Sequence, residues 1–154
     1  MFGELEAKAA VLQYLLKNEI IDCGSSTVIS EMTIARKARV VDLAYIDGDR
    51  MVAIEIKSHK DTLARLAGQV EEYKKYFDKV VVAVAPKFTS TVLSSFDVAI
   101  AVWEVTPCGV KVVRRGRLNK AVDKESYLEL MSKKEMVLLA KSAGLQSDLA
   151  CGSL

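Results

Sequence analysis

The sequence predicts an α/β domain built on a central mixed β-sheet flanked by helices. Three observations carry that expectation: an amphipathic segment at the start, two apolar strands joined by Asp47-Gly48-Asp49, and a long helical segment leading into Val80-Val81-Val82-Ala83-Val84-Ala85. Hairpin strands are antiparallel, whereas a strand reached through a crossover helix lies parallel to its predecessor, so one sheet holds both directions.

Leu5, Ala9, Leu12 and Leu16 recur at helical spacing and predict a first helix over about residues 3–18, broken by Cys23 to Ser26. Val28 to Ile34 reads as a first strand and Val40 to Ile46 as a second, with Arg36, Lys37 and Arg39 between or at their ends. Met51 to Lys57 follows the hairpin turn as a third strand. Asp61 is positioned to cap a long helix in which Leu63, Leu66, Val70, Tyr73 and Phe77 keep helical spacing. The run Val80 to Ala85 is apolar on both faces, as a central strand requires, and the default crossover is right-handed. Thr89 to Phe96 is a short helix, Val98 to Val105 a strand, and Val110 to Arg115 a basic edge strand after Pro107 and Gly109. Helices over Lys124 to Met131 and Lys133 to Ala143 finish the chain, the latter stopped by Gly144.

All 154 residues fit one domain, with a core over about 3–105, an edge strand and helices over 106–145, and a tail over 146–154; a hydrophobic content of 51% suffices for one buried core. A net charge of +2 is too small to signal a nucleic-acid partner through composition, so any basic surface must be local. Cys23, Cys108 and Cys151 are odd in number and far apart, which speaks against a disulfide framework and for a reducing compartment. They are also too few for a four-thiolate iron–sulfur cluster. No apolar run is long enough to span a bilayer, and the expectation is a soluble cytoplasmic protein without a membrane partner.

Chemistry concentrates in Arg39-Val-Val-Asp42 and Ala53-Ile-Glu55-Ile-Lys57. Residues i and i+2 share a strand face, so Glu55 and Lys57 point together. A hairpin loop of two or four residues brings Asp42 onto that face, diagonal to or opposite Glu55; a three-residue loop puts it on the other. Two neighbouring carboxylates repel unless a positive charge lies between them. Mg²⁺, or Mn²⁺, bound by Asp42, Glu55 and the carbonyl of Ile56, would supply it, with Lys57 positioning a water and neutralising a phosphate. A surface salt bridge on a solvated hairpin is the plain alternative. Gln69 and Tyr73, four residues apart, share a helix face.

The order helix, strand, Asp-bearing strand, Glu-x-Lys strand, helix with Gln-xxx-Tyr and apolar strand resembles the restriction-endonuclease-like core of the PD-(D/E)XK phosphodiesterases over about residues 3–105. The resemblance implies a metal-dependent DNA nuclease. Asp42 and Glu55 would be metal ligands, Lys57 would assist the nucleophile, and Gln69 and Tyr73 would support the site or the DNA. Val41 stands where the family name has proline, on the opposite face of the strand. Many members add a glutamate, for which Glu31 is the choice over Glu6. Arg36, Lys37, Arg39 and Arg65 are candidate contacts to the DNA backbone. His59 could reach a phosphate, though a loop histidine without a role is the commoner case. Members of this fold are often dimers, so a homodimer is implied by resemblance alone. The alternatives are a noncatalytic nucleic-acid-binding module of the same fold, or an interaction domain of a phage or mobile-element assembly. Replacing Glu55, as a cleft metal ligand, is expected to leave folding intact.

Overall fold

Six strands lie side by side in chain order in the computed structural model, which describes residues 2–35, 38–119, 122, 124–131 and 133–144. Strands β1 (Thr27–Ile34), β2 (Arg39–Asp47) and β3 (Arg50–Lys57) form an antiparallel meander. Helix α2 (Leu66–Tyr76) then crosses to β4 (Lys79–Val84), and α3 (Thr89–Ser95) crosses to β5 (Ala101–Thr106), so β3, β4 and β5 are parallel. Strand β6 (Gly109–Arg114) returns antiparallel along the far edge. The expected α/β fold with a mixed sheet flanked by helices is present.

Each face of the sheet has its own core. Alternation in β3 sends Val52, Ile54 and Ile56 to the face covered by α1 (Glu4–Lys17), where Ala7, Val11 and Leu15 are buried. Ala53 points to the opposite face, packed by Val70 and Tyr73 of α2, Phe77 just after it and Val92 of α3. Fully burying a side chain such as Leu15 or Phe77 contributes about 1.5–3 kcal/mol, so these two helices fix the layers. Helix α1 begins where Glu6 accepts the Gly3 amide at 3.0 Å, satisfying one of the helix's first donors.

Two expected boundaries move. Helix α2 starts at Leu66 instead of Asp61, because Asp61 Oδ2 accepts both the amide and the hydroxyl of Ser58 at 2.7 Å. That carboxylate closes a turn instead of capping a helix. Strand β5 starts at Ala101 instead of Val98, because Asp97 accepts the Ala99 amide at 2.7 Å and holds residues 97–100 in a turn. Helices α4 (Lys124–Glu129) and α5 (Lys133–Ser142) end the described chain. Among the described residues, no helix is long and apolar enough to cross a membrane. Cys23 and Cys108 are free and exposed.

Candidate functional site

A two-residue turn, Gly48-Asp49, fixes the register of the hairpin. Gly48 takes the left-handed conformation, φ 61°, that such turns need. Asp47 then faces Arg50 and Leu43 faces Ile54, which sets Asp42 opposite Glu55. The ladder stops at Leu43, and beyond it the Ile56 amide donates to Asp42 Oδ2 at 2.8 Å. A side chain thus replaces the strand carbonyl as acceptor.

Asp42, Glu55, Lys57 and Gln69 line one cleft of about 320 Å³, together with Arg39 and Arg65. Glu55 is 1% exposed, and its carboxylate is fully engaged. Oε1 accepts from Lys57 Nζ at 2.8 Å and from Gln69 Nε2 at 2.5 Å, and Oε2 accepts from the Tyr73 hydroxyl at 2.6 Å. Charge-assisted bonds of this kind are stronger than neutral ones and hold the carboxylate in place. The Tyr73 oxygen also lies 2.9 Å from the Val40 carbonyl oxygen, tying α2 to β2. Burial and the Glu55 charge push the Tyr73 phenol well above its ordinary range, so it stays a donor. The Asp42 carboxyl is pushed up to about 6, first by burial and then by Glu55, with the Ile56 amide, Lys57 and Lys8 pulling it back. Tyr73→Phe is expected to destabilise the fold by about 1–2 kcal/mol, the cost of a buried carboxylate losing one donor, read as a lower urea midpoint. An unchanged midpoint would remove the hydroxyl from the network.

Several sequence expectations change here. Tyr73 is fully buried, so it contacts Glu55 and Val40 and not a nucleic acid. Glu31 does not join Asp42 and Glu55: it sits at φ 57° on the edge strand β1, exposed, with Lys8 Nζ at 3.9 Å. Glu6 is committed to the Gly3 amide. The Ile56 amide, not only the carbonyl singled out in the sequence, faces Asp42, and the Ile56 side chain lies in the α1-side core. Arg36 and Lys37 lie outside the described residues. Glu4, at the first turn of α1, lines the cleft, and Lys8 is close enough to lower the Asp42 carboxyl pKa. Strand alternation gives no signal for either, since both come from a helix packed across the sheet.

An Mg²⁺ ion bound by Asp42 and Glu55 would compete with the protein donors already seated there. Of the four carboxylate oxygens of Asp42 and Glu55, three already accept protein donors. Among the described residues, no group of three or more His, Cys, Asp or Glu side chains is placed to hold a metal ion.

Comparison with known proteins bears on the activity. The family model described as bacteriophage P4 protein cII matches residues 1–151. Protein cII of Enterobacteria phage P4 is 36% identical over 149 residues, covering 94% of this chain and 55% of the relative. The chain therefore spans about half the length of that curated relative. A solved protein of unknown function from Silicibacter pomeroyi shares the fold, with a TM-score of 0.55, 16% identity and 92% of each chain covered. The expectation of a DNA-hydrolysing nuclease, with its hydrolase, endonuclease and repair associations, is corrected by these matches: the family covering nearly the whole sequence is that of phage P4 protein cII.

Proposed function

The chain belongs to the family of bacteriophage P4 protein cII, and from that premise we propose that this domain is a noncatalytic DNA-binding module whose cleft receives the phosphate backbone. One observation carries the reading. Arg39 and Arg65 line the same cleft, and neither guanidinium has an ion-pair or hydrogen-bond partner among the described residues. Three of the four carboxylates beside them are committed to protein donors, Glu55 to Lys57, Gln69 and Tyr73, Asp42 to the Ile56 amide, and Asp61 to Ser58, while Glu4 is the fourth. Guanidinium groups of this kind suit bidentate phosphate contacts, which position a duplex without reading its sequence. Glu55 acts here as a strut that holds Lys57 and α2 in place.

Gly68 contributes by absence. A Cβ at that position would lie 3.0 Å from Arg39 Nη2, so the bare helix turn lets the guanidinium rest across α2. Gly68→Ala is therefore expected to act in opposite directions on two measurements. It should stabilise the helix by up to about 1 kcal/mol and weaken DNA binding by displacing Arg39.

The test is fluorescence anisotropy with labelled single-stranded, duplex and branched DNA, in EDTA, at about 50 and about 200 mM salt. Binding without a metal is expected, with intact DNA recovered afterwards. Arg39→Ala and Arg65→Ala should each lower affinity and reduce the salt slope by about one. A protein that binds none of the three DNA forms at the lower salt would overturn the reading and favour a protein-interaction domain.

A further inference from the structure

On the α1 side of the sheet lies a cavity of about 560 Å³ that shares no lining residue with the cleft. Tyr14 of α1, Trp103 of β5 and Val110 and Val112 of β6 form its apolar wall, with Tyr14 and Trp103 packed edge to face at 5.2 Å. Lys79 and Arg115 complete the lining and give it two positive charges.

A local irregularity brings Arg115 to this face. Trp103 pairs with Val112, but Val102 pairs with Arg114, so Val113 is an extra residue, a β-bulge. Without it, Arg114 would continue the alternation of Val110 and Val112 toward α1. With it, Arg114 turns to the other side, where its guanidinium donates to the carbonyls of Ile100 at 2.8 Å and Leu93 at 3.1 Å. Arg115 falls on the α1 side instead. Gly116 then holds the chain in place: it adopts φ 70°, and a Cβ there would lie 2.6 Å from the Ala101 amide nitrogen.

Two neighbouring cations repel each other unless a negative charge joins them, and no carboxylate lines this cavity. Neither Lys79 nor Arg115 has an ion-pair partner among the described residues. Lys79 also borders the larger neighbouring cavity of about 1080 Å³, whose carboxylates are occupied elsewhere: Glu71 by Lys74 at 3.0 Å and Asp97 by the Ala99 amide at 2.7 Å. Burial, and secondly Arg115, pull the Lys79 pKa down, the direction expected of an ammonium lacking its counter-charge.

We propose that this cavity binds a nucleoside phosphate, with the phosphate held by Lys79 and Arg115 and the base set against the wall of Tyr14, Val110 and Val112. The volume falls in the range of small-molecule sites, and the lining joins two cations to an aromatic and aliphatic wall. Two cations of different reach suit a phosphate, Arg115 through two parallel N–H donors and Lys79 as a point charge. The Tyr14 and Trp103 rings beside them offer aromatic surface to a base.

Trp103 is the chain's single tryptophan and lines this cavity, so its fluorescence reports from the cavity wall. The experiment titrates the full chain with ATP, inorganic phosphate, ribose 5-phosphate and adenosine at constant ionic strength, following Trp103 emission. A saturable change is expected with ATP, a weaker one with ribose 5-phosphate and phosphate, and none with adenosine. Arg115→Ala and Lys79→Met should each raise the apparent Kd by about tenfold or more, because each removes a charge-assisted contact. Circular dichroism checks that both variants fold, and the exposed position of Arg115 keeps that variant informative if Lys79→Met does not. Arg39→Ala and Arg65→Ala should leave the titration unchanged, which separates this site from the DNA cleft. Adenosine binding as tightly as ATP, an unaltered Kd in Arg115→Ala, or no emission change with ATP would each overturn the proposal.

Discussion

Glu55→Ala is expected to lower the folding free energy by about 3–5 kcal/mol, because it strands a buried ammonium. Lys57 is 7% exposed, and Glu55 Oε1, at 2.8 Å, is the carboxylate paired with it. The same substitution removes the acceptor of the buried Tyr73 hydroxyl and of the half-buried Gln69 amide, leaving both donors to find other partners. Glu55→Gln should cost less, since the amide oxygen still accepts while the amide nitrogen no longer complements Lys57. Urea denaturation of the three proteins in EDTA measures this order. An alanine variant within about 1 kcal/mol of wild type would show that Glu55 is not a structural strut, because breaking a buried pair is costly. This outcome differs from what the sequence alone suggests for Glu55, as a ligand at a cleft surface that tolerates replacement. The difference comes from Tyr73 and Gln69, whose one-turn spacing shows that they share a face but not that the face closes over the carboxylate.

The fold is legible in the sequence wherever period and burial agree. Val80 to Val84 is apolar at every position because β4 is covered on both faces, and that pattern marks a central parallel strand. The Asp-Gly turn marks the hairpin, and the i, i+2 relation of Glu55 and Lys57 brings them to one side. Boundaries set by single polar side chains are less legible. Asp61 and Asp97 both have the chemistry of helix caps and turns, and only their partners, Ser58 and Ala99, decide between the two. Glu31 illustrates the same limit at the site. Its place in the chain suits a third carboxylate, but an edge strand kinked at φ 57° leaves it beside Lys8. The β6 bulge has no sequence signature at all, because Val-Val-Arg-Arg reads equally well in either register, and the orientation of two arginines depends on it.

A catalytic pattern and a binding pattern also share their residue types. Asp, Glu and Lys at hairpin spacing specify convergence, and convergence is what the register of β2 and β3 provides. Whether the carboxylates are open to a ligand depends on how many donors the surrounding helices supply. Helix α2 supplies two to Glu55, and the backbone of β3 supplies one to Asp42. Arg39 and Arg65 are the cations at this cleft that no carboxylate among the described residues holds, whereas Lys57 is paired with Glu55, which favours an anionic partner.

Asp42→Asn is expected to stabilise the protein at pH 8 by about 2–3 kcal/mol and to have little effect at pH 4. The folded-state carboxyl titrates near 6, raised chiefly by burial and next by Glu55, against an ordinary value of 3.8. Between those values the native state holds a proton that the unfolded chain has released, so stability falls as pH rises from about 4 to about 6 and the loss is complete above that window. Asparagine removes the charge and keeps an oxygen to accept the Ile56 amide, so the 2.8 Å bond that ends the β2–β3 ladder can survive. The difference between wild type and variant isolates this group from the other carboxylates that titrate in the same range. Urea unfolding in EDTA at several pH values measures it. A difference that is flat with pH, or an asparagine variant less stable than wild type at pH 8, would mean that Asp42 is solvated or better compensated than its burial beside Glu55 implies. A second arm adds Mg²⁺: the donors already seated on Asp42 and Glu55 predict that the ion leaves the difference unchanged. Selective stabilisation of the wild type would show that these carboxylates can exchange their protein donors for a metal.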